Sequence, residues 1–557
     1  MMKRLLIVPA LLLIALACQS VPARAQDTSI AETMLPGADI GASLKTLAAQ
    51  APALAADSRR SVLPLRLVGE HMKEHPAGKL ITRGAAPFSA LQSGAAAPAM
   101  AQVNTGGTVL NIDGIASDQT SAPPDPNGAV GETQYVQWVN TRLAVYNKHT
   151  GSLELGPVPG NAVFGGFTGS PGADACRTSN NGDPIVQYDK QARRWLLTQF
   201  AWAPANLTTG PYYQCIAVST TSDATGSYYR YVLDVRGPGN TIAFNDYPKV
   251  GVWPDAYYFT FVLFESAVGA YVGPQACGFD RASMLAGGAT LVRCATLAGD
   301  FGPLLPSDLD GATAPPAGSP NYLLSLDFTG ADGRGDHLLM WRFSFSKASI
   351  SAPVQIPVAP FTIACPSLFG GPCIAQPAPG ETLDALGDRL MQRVGYRNFG
   401  NREALVLNHT VQQPNAPTDG AVTVRWYELR NPGGAVGVYQ QGNHMPDTNN
   451  RWMGSIAMDR MGNIGLGYSV TGPATPPGVR YAGRMRSEPL GRMEAEEVLV
   501  NGGGVQIDTF HRWGDYSAMT VDPVGDCTFW YTQQYIAATD SFNWRTRIAD
   551  FKFINCK

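Results

Sequence analysis

The 557-residue chain is long enough for several ordinary domains or for one large repeat architecture. Its 41 basic and 44 acidic residues nearly cancel, to a formal charge of −3, and they form no basic runs, which excludes the electrostatic footprint of a nucleic-acid binder. With 60 glycines, 42 prolines and only 15% charged residues, the composition is that of a β-rich extracellular chain with many turns.

The chain opens MMKRLLIVPALLLIALACQSVPARAQ, with a basic start at Lys3 and Arg4, an apolar run from Leu5 to Ala17 and the small-x-small site Ala23-Arg24-Ala25. This is the layout of a secretory signal over residues 1–25, and the apolar run is shorter than a membrane span requires. Cys18 offers a processing site of lipoprotein type, but Ala15 stands where that pattern prefers Leu, so cleavage after Ala25 is the expectation. No second hydrophobic span follows. The mature protein is expected to be secreted or periplasmic, without a membrane span, and monomeric. Residues 26–104 then change character: APALAADSRRSV and SGAAAPAMAQ are rich in Ala and Pro with little alternation. Apart from a candidate helix over Ser58–Glu74, this segment reads as a propeptide or flexible linker that need not pack.

From about residue 105 to 557 one grammar repeats. Copies open at Asp125 (DPNGAVGETQYVQWVN), Asp183, Asp246, Asn321, Asp388, Arg451 and Arg512, at spacings of 58, 63, 75, 67, 63 and 61 residues, and the fourth copy is the weakest. Each contains a short apolar strand, a tight Gly/Asp/Asn turn, an alternating strand such as RWLLTQF, and usually a third. The predicted fold class is all-β, a seven-bladed β-propeller preceded by an Ala/Pro-rich N-terminal arm; the weak fourth copy leaves six or eight blades open. The physical reason is that one four-stranded sheet cannot bury both its faces, whereas radial neighbours cover them and leave only short edges. The last copy supplies three strands, YSAMTVD, CTFWYTQQY and RTRIADFKF, so a fourth must come from elsewhere. Upstream, GGTVLNIDG alternates without a hairpin partner. Thr108–Asp113 is therefore expected as the outer strand of the final blade, closing the ring.

Of nine cysteines, Cys18 lies in the leader, and the other eight fall into local pairs. In an exported chain this predicts the disulfides Cys176–Cys215, Cys277–Cys294, Cys365–Cys373 and Cys527–Cys556, the last stapling neighbouring strands of the final blade. No C-x-x-C spacing supports a metal site instead.

The stretches DPNGAVG, GDPIVQYD, NDYPKVGVW, RWMGSIAMD and RWGDYSAMTVDP with CTFWYT resemble a family of secreted bacterial β-propeller proteins, over roughly Leu110 to Cys556. That resemblance implies a fold and not an activity. More distantly the architecture is similar to sialidases and other propeller glycosidases, lyases and lectins. The S-x-D-x-G-x-x-W box of sialidase blade turns is absent, so this second similarity is one of superfold.

Innermost propeller strands begin at one face around the channel, so the residues opening each repeat should converge there. They are Asp125 and Asn127; Asp183; Asp246 with Tyr247 and Lys249; Asp388 with Arg389 and Arg393; Arg451 with Trp452; and His511, Arg512, Trp513, Asp515 and Tyr516. The candidate catalytic groups are His511, Tyr516 and Asp388, acids or bases when desolvated. Candidate substrate-binding groups are Arg451, Arg512 and Arg389, whose guanidiniums suit carboxylate or sulfate, Trp452, flat enough for a pyranose ring, and Asp246 and Asp183. No cofactor is expected; Asp125 and Asn127 offer oxygen ligands for a calcium ion, although an Asx turn accounts for DPNG without one. Against these roles stands a structural reading, in which turn aspartates hold blade corners and Arg–Asp pairs tie blades together. Trp195, Trp253, Trp341, Trp426 and Trp530 lie inside strand patterns and are expected in the core, and His409 and His444 are isolated histidines of structural type.

Two functions remain. One is an extracellular carbohydrate-active enzyme, a hydrolase or lyase, acting on an acidic polysaccharide at the channel mouth. The other is a non-catalytic propeller that binds a cell-surface glycan or protein. A lyase needs a neutral base, such as His511 or Tyr516, beside an arginine that neutralises a uronate; a hydrolase needs two carboxylates about 5–10 Å apart. No G-x-S-x-G, H-E-x-x-H, Walker or dinucleotide motif points elsewhere.

Overall fold

The computed structural model describes residues 28–51, 61–62, 82–83, 103–328, 333–416 and 419–557. The fold is an all-β propeller. Among the described residues its strands group into seven antiparallel units of four main strands, whose innermost strands are Asn127–Val130, Gly182–Asp189, Phe244–Val252, Leu305–Leu309, Val394–Asn398, Asn450–Met458 and Ala518–Val521. Each innermost strand contacts the next, and the seventh contacts the first, so the cycle closes around a central channel. At one junction the neighbours also pair: Ser307–Leu309 runs parallel to Val394–Tyr396, joining units 4 and 5 into one sheet.

The fourth repeat begins earlier than its sequence suggests. Asn321 opens the second strand of that unit and not its first. The innermost strand reads LPSDL, wholly buried and containing Pro306, so it shows no alternation to betray it. The closing strand is Asn111–Ala116, antiparallel to Trp544–Lys552 with Ile112 opposite Ile548. It starts three residues later than expected, because the N–H groups of Val109 and Leu110 both donate to Asp550 Oδ1 at 2.8 Å and not to the ladder. All four expected disulfides are present. Cys277 lies directly opposite Cys294 on neighbouring strands, while Cys527 and Cys556 bracket the last hairpin.

The arm departs from the expectation of an unpacked segment wherever it is described. Ile30–Leu35 adds a fifth strand to unit 3 along Thr290–Thr296, and Asp39–Ile40 does the same on unit 2. A short helix, Leu44–Gln50, follows; Ser43 Oγ caps it by accepting from Thr46 N at 3.2 Å, and Leu44 is buried. Ser61–Val62, inside the candidate helix Ser58–Glu74, is extended along Ser121–Ala122; the rest of that helix, and the expected leader, lie outside the described residues. Among the described residues no helix is long and apolar enough to cross a membrane.

Neighbouring sheets are held apart by aromatic rings. Between units 6 and 7, Tyr481 stacks on Phe551 with ring centroids 4.0 Å apart, and Phe529 lies on the other side of Phe551. The GLG of Ile464–Gly472 exists for this layer: a Cβ on Gly467 would sit 2.4 Å from the Tyr531 ring, and one on Gly465 2.8 Å from Phe551. Trp195, Trp253, Trp341, Trp426 and Trp530 are buried as expected.

Candidate functional site

Three innermost strands are bulged at their first residues, with register breaks between Gly182 and Ile185, Asp246 and Lys249, and Trp452 and Ser455. The residue inside each bulge is left-handed although it is not glycine: Asp183 (φ 47°), Tyr247 (φ 50°) and Met453 (φ 50°). Asp125 (φ 45°) and His511 (φ 60°) take the same conformation ahead of units 1 and 7. Such backbone costs on the order of 1–3 kcal/mol per residue and persists only where the surroundings over-determine it. In units 2 and 3 the next residue is Pro184 or Pro248, whose missing N–H leaves the bulge no orphan donor, and Pro126 likewise follows Asp125 ahead of unit 1. A bulge re-aims the side chain that carries it. Here the re-aimed groups meet across the channel, because their contacts join units that are not neighbours.

Tyr516, entering unit 7, donates its hydroxyl to Asp183 Oδ2 of unit 2 at 2.7 Å. Lys249 of unit 3 places its ammonium between two rings, 3.1 Å from the centroid of Tyr247 and 3.5 Å from that of Tyr516. The Tyr247 hydroxyl donates to Leu390 O at 3.3 Å in the segment entering unit 5, and Arg389 from that segment stacks on the Tyr247 ring at 4.6 Å. Arg389 itself grips Asp388 through Nε (2.7 Å) and Nη2 (3.1 Å). Arg512 donates to Asp384 and, at 2.8 Å, to Asp515. Both oxygens of Asp125 accept N–H donors, from Asp515 N at 2.6 Å and Asn140 Nδ2 at 2.7 Å. Gly514 permits this seam between the last and first units, since a Cβ there would meet Pro126 Cδ at 2.9 Å.

The electrostatics divide the carboxylates. Burial, with the charges of Asp246 and Asp515 beside it, pushes the Asp183 carboxyl up to about 7, against the pull of Tyr516 and Lys249. Burial also raises Asp384 to about 7, opposed by Arg512, and holds Asp125 well above the usual carboxylate range. Burial drives the Lys249 amine well below its ordinary value, opposed by Asp183 and Asp515, and raises the Tyr516 hydroxyl well above its own. Asp246 and Asp515 keep partial contact with solvent, whereas Asp183 is 5% exposed. The channel end thus holds an enclosed carboxyl whose proton affinity is raised to near neutrality next to two acidic side chains with access to water. That is the division of labour acid–base chemistry uses.

The expected residues are gathered only in part, and the gathered ones do not line an open pocket. Asp183, Asp246, Asp388, Arg389, Arg512 and Tyr516 share this cluster, but their charged ends are largely spent on one another. Arg451 is elsewhere. It is fully buried, and against the cost of burial Asp447 and Glu496 hold it charged through contacts of 2.8 and 2.9 Å. Trp452 is also fully buried, 5.2 Å from the Trp513 ring, so it offers no face to a sugar. His511 turns its ring to Thr382, with Nδ1 2.9 Å from the carbonyl oxygen. His409 and His444 are buried against Tyr427 (2.9 Å) and Tyr468 (2.7 Å), and burial lowers both rings. Asp384 escaped the sequence reading because it sits in the long connection after Cys373, at no repeat position; no periodic signal marks it.

No family model matches the sequence, and no curated relative matches it. Solved structures similar to it include the α-L-arabinanase of Penicillium chrysogenum with arabinobiose, at TM-score 0.37 and 8% identity over 81% of this chain and 100% of that one. The α-L-arabinofuranosidase Arb93A of Fusarium graminearum matches at TM-score 0.38 and 8% identity, covering 81% and 99%. The N-terminal domain of Nup159 matches at 0.34 and 8%, covering 83% and 100%. Likeness this weak carries neither a site nor a substrate from one chain to the other.

Proposed function

We propose that the protein is an exported, carbohydrate-active propeller that hydrolyses a glycosidic bond at the mouth of its channel. Asp183 is the proton donor, and Asp246 or Asp515 is the base or nucleophile. The observation that supports this is the arrangement at the channel end: a carboxyl fixed by a strained bulge, enclosed by Tyr516 and Lys249, beside two partly exposed carboxylates. Hydrolysis of a glycoside needs an acid that keeps its proton and a second carboxylate that does not. The hydroxyl of Tyr516 already donates to Asp183, His511 engages Thr382, and Arg512 is occupied by two carboxylates, so β-elimination finds neither a free base nor a free uronate-neutralising arginine here. The four disulfides fit an oxidising compartment. Export through the leader at residues 1–25 belongs to the same proposal, and N-terminal sequencing of the mature chain should start at Gln26.

A second reading, a glycan-binding propeller without turnover, is favoured by one observation: Asp183 is so enclosed that a substrate must displace part of the cluster to reach it. Incubation with a panel of neutral and uronic polysaccharides separates the readings. New reducing ends without unsaturation support hydrolysis, unsaturated ends mean a lyase, and binding without either product means the second reading.

A further inference from the structure

A cleft of about 910 Å³ opens between units 4 and 5, within the size range of ligand sites. Its walls are the start of the third strand of unit 4 (Arg334), the end of the fourth (Phe361), and the turn after the second strand of unit 5 (Gln413, Asn415); Arg425 and Asn443 also line it. Turns after second strands lie at the same end of a propeller as the starts of first strands, so this cleft opens on the face that carries the channel cluster. The two are joined by residues 363–390: Ile363 bridges Val411 of the cleft, and Leu390, next to Arg389, bridges His409. Arg425 stands directly opposite His409 in the sheet.

Arg425, on the third strand of unit 5, differs from the buried arginines at the repeat openings; Arg480 and Arg484 on the third strand of unit 6 are likewise met by neutral oxygens, but neither lines the cleft. Arg389, Arg393, Arg451 and Arg512 are each neutralised by carboxylates at 2.7–2.9 Å or closer. Arg425 is buried to 3% exposure, yet the partners it meets among the described residues are neutral oxygens: Asn443 Oδ1 at 2.7 Å, Ala359 O at 2.8 Å and Pro360 O at 3.1 Å, with the Tyr427 hydroxyl beside them. The Phe361 ring lies 5.9 Å from its Cζ. The acid among the lining residues, Asp336, is engaged by the His337 ring. A guanidinium held rigid by neutral acceptors, with no carboxylate bonded to it among the described residues, favours an anion, and the fork geometry of Arg suits a carboxylate. The remaining lining is a second guanidinium, Arg334, which adds positive charge to the same cleft, four amide side chains, the Phe361 ring, two prolines and small or aliphatic residues; the amides and the ring suit sugar hydroxyls and ring faces.

We propose that this cleft binds a carboxylate-bearing glycan chain, with Arg425 reading the carboxylate. This deepens the proposed function and rests on it for the choice of a glycan. It moves recognition of acid away from Arg451 and Arg512, which are already paired.

Calorimetric titration with trigalacturonate and with the matched neutral trigalactoside tests the proposal without requiring turnover. The full mature chain should bind the uronate at least about tenfold more tightly than the neutral sugar, and Arg425→Gln should remove that preference, a loss of about tenfold to a hundredfold for a charged hydrogen bond. Should Arg425→Gln fail to fold, Gln413→Ala and Asn415→Gly at the rim, the glycine keeping the left-handed backbone of Asn415 (φ 58°), each checked for a wild-type melting curve, should each weaken both sugars. Equal binding of the two sugars overturns the proposal, as does rim-insensitive binding. Competition by a short polyglutamate as effective as unlabelled uronate overturns it too, because the cleft would then be a peptide site. Uronate binding that depends on Arg425, with no turnover of any polysaccharide, would sink hydrolysis at Asp183 and leave the cleft standing. Turnover with Arg425-independent uronate binding would do the reverse.

Discussion

Arg512→Ala probes whether the arginines of the channel end recognise a ligand or hold the ring together. The side chains of Arg512 and Asp384 are 2% and 0% exposed, and Asp384 has one further charge-stabilising contact, the Trp513 N–H at 2.8 Å. Removing one member of a buried ion pair costs about 3–5 kcal/mol, because the partner charge stays buried and unpaired. The variant can recover part of this by protonating Asp384, which sets the sign of its pH dependence. Burial already raises the folded-state value of Asp384 to about 7, and losing Arg512, which opposes that rise, lifts it further. Between the unfolded value and the folded one, the native state holds a proton that the unfolded state has lost. Stability therefore falls as pH rises through that window and is fully present only below it. Urea unfolding should show the variant about 3–5 kcal/mol less stable than wild type at mildly alkaline pH, with the deficit shrinking at mildly acidic pH. Adding Asp384→Asn to Arg512→Met should restore all but about 1–2 kcal/mol. An Arg512→Ala protein as stable as wild type at both pH values would refute this reasoning and return Arg512 to the role of a ligand-binding group.

Other perturbations have defined sizes. Replacing Cys527 and Cys556 by Ser opens a bridge of sequence separation 29, which the chain-entropy model values at about 3.6 kcal/mol, and the denaturation midpoint of the ring should fall accordingly. Intact mass of the exported chain should show eight hydrogens lost relative to its reduced form, two for each of the four bridges; free thiols at Cys527 and Cys556 would contradict the stapling of the last unit. Trp452→Ala should destabilise by about 3–5 kcal/mol while leaving any glycan affinity of the folded fraction unchanged, because the ring packs on Trp513 away from solvent. Asp183→Asn should melt no lower than wild type at neutral pH: Asn tolerates the left-handed backbone, still accepts from Tyr516 and carries no buried charge.

The repeat grammar was legible because each unit runs through the same succession of short antiparallel strands and tight turns. The lone strand before the first repeat was legible because the last copy supplies three strands and leaves one edge to be filled. Local cysteine pairs were legible because short sequence separation keeps partners within one unit: Cys277 and Cys294 are opposed on neighbouring strands, and Cys527 and Cys556 bracket one hairpin. Leu305–Leu309 was not, since a short strand buried on both faces needs no alternation. The site was legible as a set of positions and misjudged as a set of roles. Sequence position says that Arg512, Tyr516 and Asp183 reach the channel end; only three-dimensional pairing says that Arg512 is consumed by Asp384, that Tyr516 donates to Asp183, and that Arg425, in the interior of a strand, meets no carboxylate among the described residues.

The most direct test of hydrolysis at the channel end is the release of reducing ends from the polysaccharide panel by wild type and by Asp183→Asn, each checked for an unchanged melting curve. The account predicts release by the wild type, declining as pH rises through about 7, where Asp183 loses its proton, and none by Asp183→Asn at any pH. Equal release by the two proteins, or a wild-type rate that climbs through that pH, would contradict it.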